Sequence, residues 1–194
     1  NIKLYIMLAL VLFFVIGCCG AVLLGRMSDI VDYLLYVDKK TGLPNREKLN
    51  IYIGEMAGKV LPEAFTCFTL SLDNLSELTK RFGYTVGDGV LKDFAGLVQL
   101  MGDTEGMRGY NGVGRFVVFF EECSSKKAAA MIRILDNQVE EYNSLNPEYP
   151  IRYTAAWATT EETDTYEIRE LLRLSQKKWK QMEKEKKDKT EEET

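Results

Sequence analysis

Leu4 to Leu24 (LYIMLALVLFFVIGCCGAVLL) is an uncharged run of 21 residues, and it sets the first limit on what this chain can fold into. As a helix rising about 1.5 Å per residue, it covers a hydrocarbon core of roughly 30 Å. It is read as a transmembrane helix. A signal peptide is the alternative, but its apolar region would be about 7 to 15 residues long and would end at a small-residue cleavage site. Lys3 alone precedes the run, whereas Arg26, Lys39, Lys40 and Arg46 follow it. That bias places the C-terminal part in the cytoplasm, on a single-pass anchor in the cell inner membrane. A chain that opens on Asn1 reads as starting inside a longer protein or after processing.

The remainder is long enough to bury one ordinary core. Gly25 to Val37 carries Met27, Ile30, Leu34 and Val37 at spacings of three, four and three, the seam of a short two-stranded coiled coil. An amphipathic helix lying on its own domain fits the pattern equally. Gly42 and Pro44 in Asp38 to Arg46 (DKKTGLPNR) break that helix, and Asn45 is a good N-cap for the next. Leu49, Ile51, Tyr52, Ile53 and Met56 give this helix its buried side. Ala64 to Leu72 (AFTCFTLSL) is rich in β-branched and aromatic residues and is expected to be a central strand, with Ser71 and Asp73 pointing the same way.

Asn74 to Phe82 reads as a short helix and Gly83 to Asp88 (GYTVGD) as a glycine-bounded turn. The helix after it is expected to bury Val90, Leu91, Phe94, Leu97 and Val98. Met107 to Glu121 (MRGYNGVGRFVVFFE) has the form of a hairpin turning at Gly112-Val113-Gly114-Arg115. A helix over 126–145 follows, with Ala129, Ile132, Ile134, Leu135 and Val139 as its apolar side, then a strand over 151–158. A last helix from Tyr166 to about Glu185 buries Ile168, Leu171, Leu172, Leu174 and Trp179. The stretch from Lys180 reads as a solvated, fraying end, with 187–194 as a charged tail. The fold class is therefore α/β (α+β), a sandwich of helices covering a mixed central sheet. The boundaries expected are 1–25 for the membrane helix, 26–37 for a juxtamembrane helical linker and 38–186 for the domain.

Net charge is −4 without a basic stripe, which argues against nucleic acid as a partner. Histidine is absent, which removes the usual general base near neutral pH and the commonest metal ligand. Cys18 and Cys19 lie in the membrane run, where lipidation is the alternative to simple burial. Cys67 and Cys123 show no CxxC or Cys/His ligand spacing and read as small apolar core residues in a reducing compartment.

These residues resemble the GGDEF domains of diguanylate cyclases, a nucleotidyl-cyclase-like fold. DKKTGLPNR resembles that family's opening Asp-x-Leu-Thr-Gly-Leu-x-Asn-Arg, with Lys40 in place of leucine. Ser71 to Leu91 (SLDNLSELTKRFGYTVGDGVL) is similar to its strand, helix and Gly-Asp turn, and GVGRF at Gly112 to Phe116 occupies the place of its Gly-Gly-Asp/Glu-Glu-Phe hairpin. The resemblance implies two facing domains that each bind GTP and, with divalent ions, join the nucleotides into cyclic di-GMP. It also implies where this chain departs. Ser71 and Gly114 stand at the positions of the two metal-binding carboxylates, and hard divalent cations need anionic oxygen donors. Arg115 stands where a glutamate is normal. Thr79 replaces an asparagine that reads the guanine edge, while Asp88 matches the aspartate that does so. Tyr84 replaces a histidine, Val113 crowds the turn, and KWKQMEKEKK on the last helix gives no clean match to the phosphate-binding lysine and arginine. The product-inhibition motif Arg-x-x-Asp is absent at 103–106, which reads DTEG.

The expectation is a catalytically inactive GGDEF-like domain with no metal site, no catalytic residue and no cofactor, used as a signalling or interaction module. Its expected partners are the membrane, a homodimer or heteromer formed through the juxtamembrane helix, and an active cyclase, a phosphodiesterase or a polysaccharide-export machine. The alternative is an allosteric sensor of GTP or cyclic di-GMP, with Asp88 contacting the base and Arg115 the phosphate. If Arg115 folds back instead, Asp73 or Asp88 is its expected partner.

Overall fold

The structure, a computed structural model, describes residues 2–102 and 106–192 and divides into two compact units that meet in sequence at Val37 and Asp38. The first is a single helix, α1 (Ile2–Tyr36), whose 35 residues at about 1.5 Å each outrun the roughly 30 Å of a hydrocarbon core. It is long and apolar enough to cross a membrane, and its described large apolar side chains from Ile2 to Leu35 are exposed. The helix does not stop at the apolar run. It continues without a break through the segment carrying Met27, Ile30 and Leu34, because nothing between Gly25 and Tyr36 breaks a helix strongly enough to end it.

The second unit follows the order α2 (Arg46–Met56), β1 (Thr66–Leu72), α3 (Leu75–Phe82), α4 (Tyr84–Gln99), β2 (Gly106–Gly112), β3 (Arg115–Phe120), α5 (Ser125–Leu145), β4 (Tyr153–Thr159), α6 (Thr160–Thr163) and α7 (Ile168–Glu192). The sheet order is β2-β3-β1-β4, and every pairing is antiparallel. The expected sandwich is present, but its sheet is not mixed. Each helical crossover lands one strand beyond its neighbour, and the hairpin strand or β1 fills the gap, the arrangement of a split βαβ. All seven residues of β1 are buried, as expected of an interior strand covered on both faces.

Alternation along β1 sorts the core into two layers. Phe68, Leu70 and Leu72, with Phe116, Val118 and Phe120 from β3, meet α3, α4 and α5. Cys67, with Val117, Phe119 and Ala158, meets Leu49 of α2 and Ile168 and Leu171 of α7. Burial pushes the Cys67 thiol up to about 12, so it behaves as the small apolar residue expected of it.

Several sequence expectations shift on contact with this core. The segment 83–88 is not a turn: Gly83 alone turns the chain, at φ 90°, and α4 begins at Tyr84 with Gly87 and Asp88 inside it. Gly87 is needed there because a Cβ would stand 2.3 Å from Thr79 Oγ1. On α5 the buried stripe is Ala128, Met131, Leu135 and Val139, and Ile134 is exposed on the other side. On α2 only Leu49 is fully buried. Helix α7 runs to Glu192 instead of fraying from Lys180, and most of the tail placed at 187–194 is helical, 193 and 194 lying outside the described residues.

The opening loop is held by one carboxylate. Asp38 Oδ1 accepts from the Lys40 and Thr41 amides and from Thr41 Oγ1, while Asn45 caps α2 by accepting from Lys48 N. The Tyr110 amide donates to Pro44 O at 2.8 Å and ties that loop to β2.

Removing a large aromatic from the middle of β1 tests this account: Phe68→Ala is expected to cost about 3–5 kcal/mol. The hairpin tip tests it in the other direction. Val113 sits at φ 51°, where a β-branched side chain is strained, and is 81% exposed. Val113→Gly is expected to raise stability by about 1 kcal/mol, and urea denaturation midpoints measure both.

Candidate functional site

The end of β1 and the β2–β3 turn meet where the family resemblance puts its chemistry. Gly112 and Arg115 pair across the turn, leaving Val113 and Gly114 as its two central residues, both at positive φ (51° and 71°). Leu72 N donates to Gly114 O at 2.8 Å, and Gly114 N donates to Tyr110 Oη at 3.2 Å. Gly114 is also tightly placed: an added Cβ would lie 3.2 Å from Leu72 O and from Leu75 Cδ2. Ser71 faces Arg115 on β3 and Thr154 on β4 and is buried. Among the described residues no three acidic, histidine or cysteine side chains converge as a metal cluster.

Asp73 is the acid nearest to Ser71 in sequence, and lysine neutralises it. Its Oδ2 accepts from Thr154 Oγ1 at 2.6 Å and lies 3.6 Å from Lys186 Nζ. The same ammonium donates to Tyr153 O at 2.7 Å and to Thr154 Oγ1 at 2.8 Å. Lys186 thus fastens the far end of α7 to β4 and to the exit of β1, a role the sequence did not signal within its charged stretch. Asn74 secures the same corner. Its carboxamide donates to Pro150 O at 2.7 Å and accepts from Arg152 N at 3.1 Å.

Asp88 is likewise occupied. Lys40 Nζ lies 2.8 Å from its Oδ1, and the hydrogen bond to this carboxylate, more than the Coulomb attraction, holds the ammonium above its ordinary value. The one visible signal was a cation where the family's motif carries leucine. Thr79, at the other base-reading position, donates its hydroxyl to Leu75 O at 2.7 Å and so satisfies its own helix.

Arg115 pairs with neither Asp73 nor Asp88 among the described ion pairs, contrary to the fold-back expectation. Its guanidinium carbon stands 5.7 Å from the centroid of the Trp179 ring on α7, within cation–π range. Both acids had nearer lysines, and Trp179 offered Arg115 a face on the α7 layer. Asp88 and Arg115 are the residues expected as nucleotide contacts. The recess beside Arg115 measures about 110 Å³ and includes Trp179 and Lys180 in its walls but not Asp88. The expected gap in the product-inhibition motif, at 103–106, lies outside the described residues except for Gly106, the first residue of β2.

Three comparisons bear on this arrangement. The family model "Diguanylate cyclase, GGDEF domain" matches residues 35–189. No curated protein matches the chain. Among solved structures, a diguanylate cyclase/phosphodiesterase from Caldicellulosiruptor saccharolyticus is 19% identical with a TM-score of 0.60, covering 78% of this chain and 91% of its own. The coiled coil and GGDEF domain of DgcB from Caulobacter crescentus, in complex with c-di-GMP, is 16% identical with a TM-score of 0.61, covering 73% and 78%. The S helix-GGDEF-EAL portion of Vibrio cholerae LapD, bound to c-di-GMP, is 12% identical with a TM-score of 0.58, covering 70% of this chain but only 31% of that one. This chain therefore spans about a third of the length of that relative, and at these identities the likeness is one of fold.

Burial is the main cause that raises the Asp73 carboxyl above its ordinary value, against the opposing pull of Thr154 and Lys186. A carboxyl raised in the folded state favours folding fully below its ordinary value of 3.8, and that contribution is lost as pH rises through the folded value. Carbon-detected NMR titration is expected to place Asp73 above the ordinary aspartate value of 3.8, and Lys186→Ala is expected to raise it further. An unchanged value in that variant would show that Lys186 does not act on this carboxylate.

Proposed function

The chain belongs to the GGDEF family, and from that premise we propose that it is a membrane-anchored, catalytically inactive member serving as a signalling and protein-interaction module in a cyclic di-GMP-related or membrane polysaccharide system. The reading rests on the resemblance, by which Ser71 and Gly114 fall at the positions of the family's two metal carboxylates; it is supported by the lysines beside two nearby acids, Lys186 at Asp73 and Lys40 at Asp88. A hydroxyl and a hydrogen give magnesium no anionic oxygen, so its dehydration goes uncompensated. Arg115 at the next position adds a positive charge that repels a divalent ion.

In this reading α1 is a single-pass anchor in the inner membrane with the GGDEF domain in the cytoplasm. The exposed seam of Met27, Ile30 and Leu34 supports assembly through a coiled coil, as a homodimer or a heteromer. The DgcB structure pairs a coiled coil with a GGDEF domain, which favours that use of the segment. An active cyclase, a phosphodiesterase or a polysaccharide-export machine is the partner proposed.

A second reading, a sensor that binds GTP or cyclic di-GMP without turnover, draws on the charge of Arg115. The Lys40–Asp88 pair weighs against it, as does a recess well below the roughly 300–1,000 Å³ of small-molecule pockets.

The purified full chain in detergent micelles, incubated with GTP and magnesium or manganese, is expected to yield no cyclic di-GMP; clear turnover would overturn the proposal. Ser71→Asp combined with Gly114→Asp is expected to stay inactive, since Gly114 is at φ 71° with Leu72 O against its missing Cβ. Calorimetry separates the two readings. The interaction module predicts no heat with millimolar GTP, GDP or cyclic di-GMP, and the sensor predicts binding that Asp88→Ala and Arg115→Ala weaken.

A further inference from the structure

Helix α7 mixes basic and acidic residues along the sequence, and folding sorts them. Arg169, Arg173, Lys177, Lys180 and Lys184 recur at spacings of four, four, three and four, and all five are exposed. At about 100° and 1.5 Å per residue they share an arc of roughly 80° in a row roughly 22 Å long. The acids within that span, Glu170 and Glu183, fall to either side of the arc. Ile168, Leu171, Ser175 and Trp179 form the buried side of the same helix, so the row faces away from the sheet. A net charge of −4 implies no basic stripe, and the folded helix corrects that expectation. The stripe escapes a linear reading because acids and apolar residues interrupt it.

A solvated helix face is stabilised by opposite charges three or four residues apart, whereas like charges at those spacings repel. Every step along this row is a like-charge step of that kind. Arg173 has Glu170 as a partner, and the other four cations have no acid among the described ion pairs. Lys178 and Lys186, off the row on the same helix, do reach acids of the domain, Glu162 and Asp73. An anionic surface laid along the row offsets its repulsion. Length narrows the class, because a small anion reaches one or two of five cations spread over this distance. A plane of anionic headgroups meets all of them along one ridge. The chain from Leu24 to Asp38 is also short, roughly 20 Å if helical, so a domain anchored by α1 stays within reach of the leaflet. Weak attraction then acts at high effective concentration.

We propose that the exposed row of α7 docks on anionic lipid headgroups and holds the domain against the membrane in which α1 is anchored. The proposal rests on the reading of α1 as an anchor and is independent of whether the domain turns over nucleotide. Each basic residue near such a surface favours association roughly fivefold, and the attraction fades within a Debye length.

The full chain is reconstituted into nanodiscs of phosphatidylcholine, alone or mixed with phosphatidylglycerol, and its amines are acetylated and read residue by residue by mass spectrometry. Labelling of Lys177, Lys180 and Lys184 is expected to slow at least about fivefold in the anionic discs. Salt at about 1 M, where the Debye length is about 3 Å, is expected to restore it. Lys92 of α4 and Lys126 of α5, exposed on the opposite layer, serve as internal controls and are expected to label alike in both discs. Arg173→Gln combined with Lys177→Gln is expected to speed the labelling of Lys180 and Lys184 in the anionic discs several-fold, with circular dichroism confirming the fold. Equal labelling of the row in the two lipids, protection that salt does not relieve, or protection shared equally by Lys92 and Lys126 would overturn the proposal. So would protection of the row in phosphatidylcholine discs by added polyglutamate or single-stranded RNA with none from phosphatidylglycerol, which would assign an acidic peptide or nucleic acid instead. If the chain does not enter the discs, the anchor reading fails, and salt-sensitive flotation of the same chain with phosphatidylglycerol vesicles still decides for or against the row.

Discussion

The burial of β1 on both faces is the constraint from which the rest of the domain follows. Its seven residues touch no solvent to speak of, so its two neighbours must satisfy its backbone and two helical layers must satisfy its side chains. Phe68, Leu70 and Leu72 go to one layer, and Cys67, Thr69 and Ser71 to the other. The polar pair Thr69 and Ser175, hydrogen-bonded at 2.8 Å, shows that the second layer is not purely apolar and still meets its obligations. Because the strand is fixed so completely, the residues at its exit have no freedom either. Ser71 and Asp73 are delivered to one corner, against Arg115, Thr154 and Lys186, whatever chemistry that corner retains.

Much of this was legible because it rests on local pattern. The β-branched and aromatic run ending at Leu72, the Gly-x-Gly turn and the N-cap at Asn45 are each decided by neighbours in sequence, and each stands where expected. Periodicity was less secure where a helix has two apolar sides. On α5, Ile134 competes with Met131 and Ala128 for the core, and only the packed sheet decides between them. Gly87 misled for a related reason. A Gly-Asp pair reads as a turn, yet here the glycine lies inside a helix because Thr79 of α3 leaves no room for a Cβ.

The candidate site was harder to read than the fold because its decisive contacts are long-range. Lys40 and Asp88 are 48 residues apart, and Lys186 and Thr154 are 32 apart, so no window of sequence contains either contact. Arg115 was foreseeable as a misfit where the resemblance expects a glutamate but not as a neighbour of Trp179, which periodicity assigned to a core face. Trp179 is in fact both, nearly buried and one of the residues lining a recess.

The two lysine–acid contacts differ in what they do to the carboxylate they meet. Lys40 and Asp88 are both substantially exposed, at 54% and 40% of their side-chain surfaces, and such pairs contribute about 0–1 kcal/mol. That contact can hold a carboxylate away from other donors but cannot hold the domain together. Asp73 is more enclosed, and its desolvation outweighs the help of Lys186 and Thr154, so its charge is carried at a cost that the corner tolerates. An ion that neutralised Asp73 more fully would have to displace Lys186, and with it the bonds from α7 to Tyr153 O and Thr154 Oγ1. The position that most resembles a remnant metal site is therefore also the one where the last helix is fastened to the sheet. Occupying it with a cation would loosen the fold rather than complete a site.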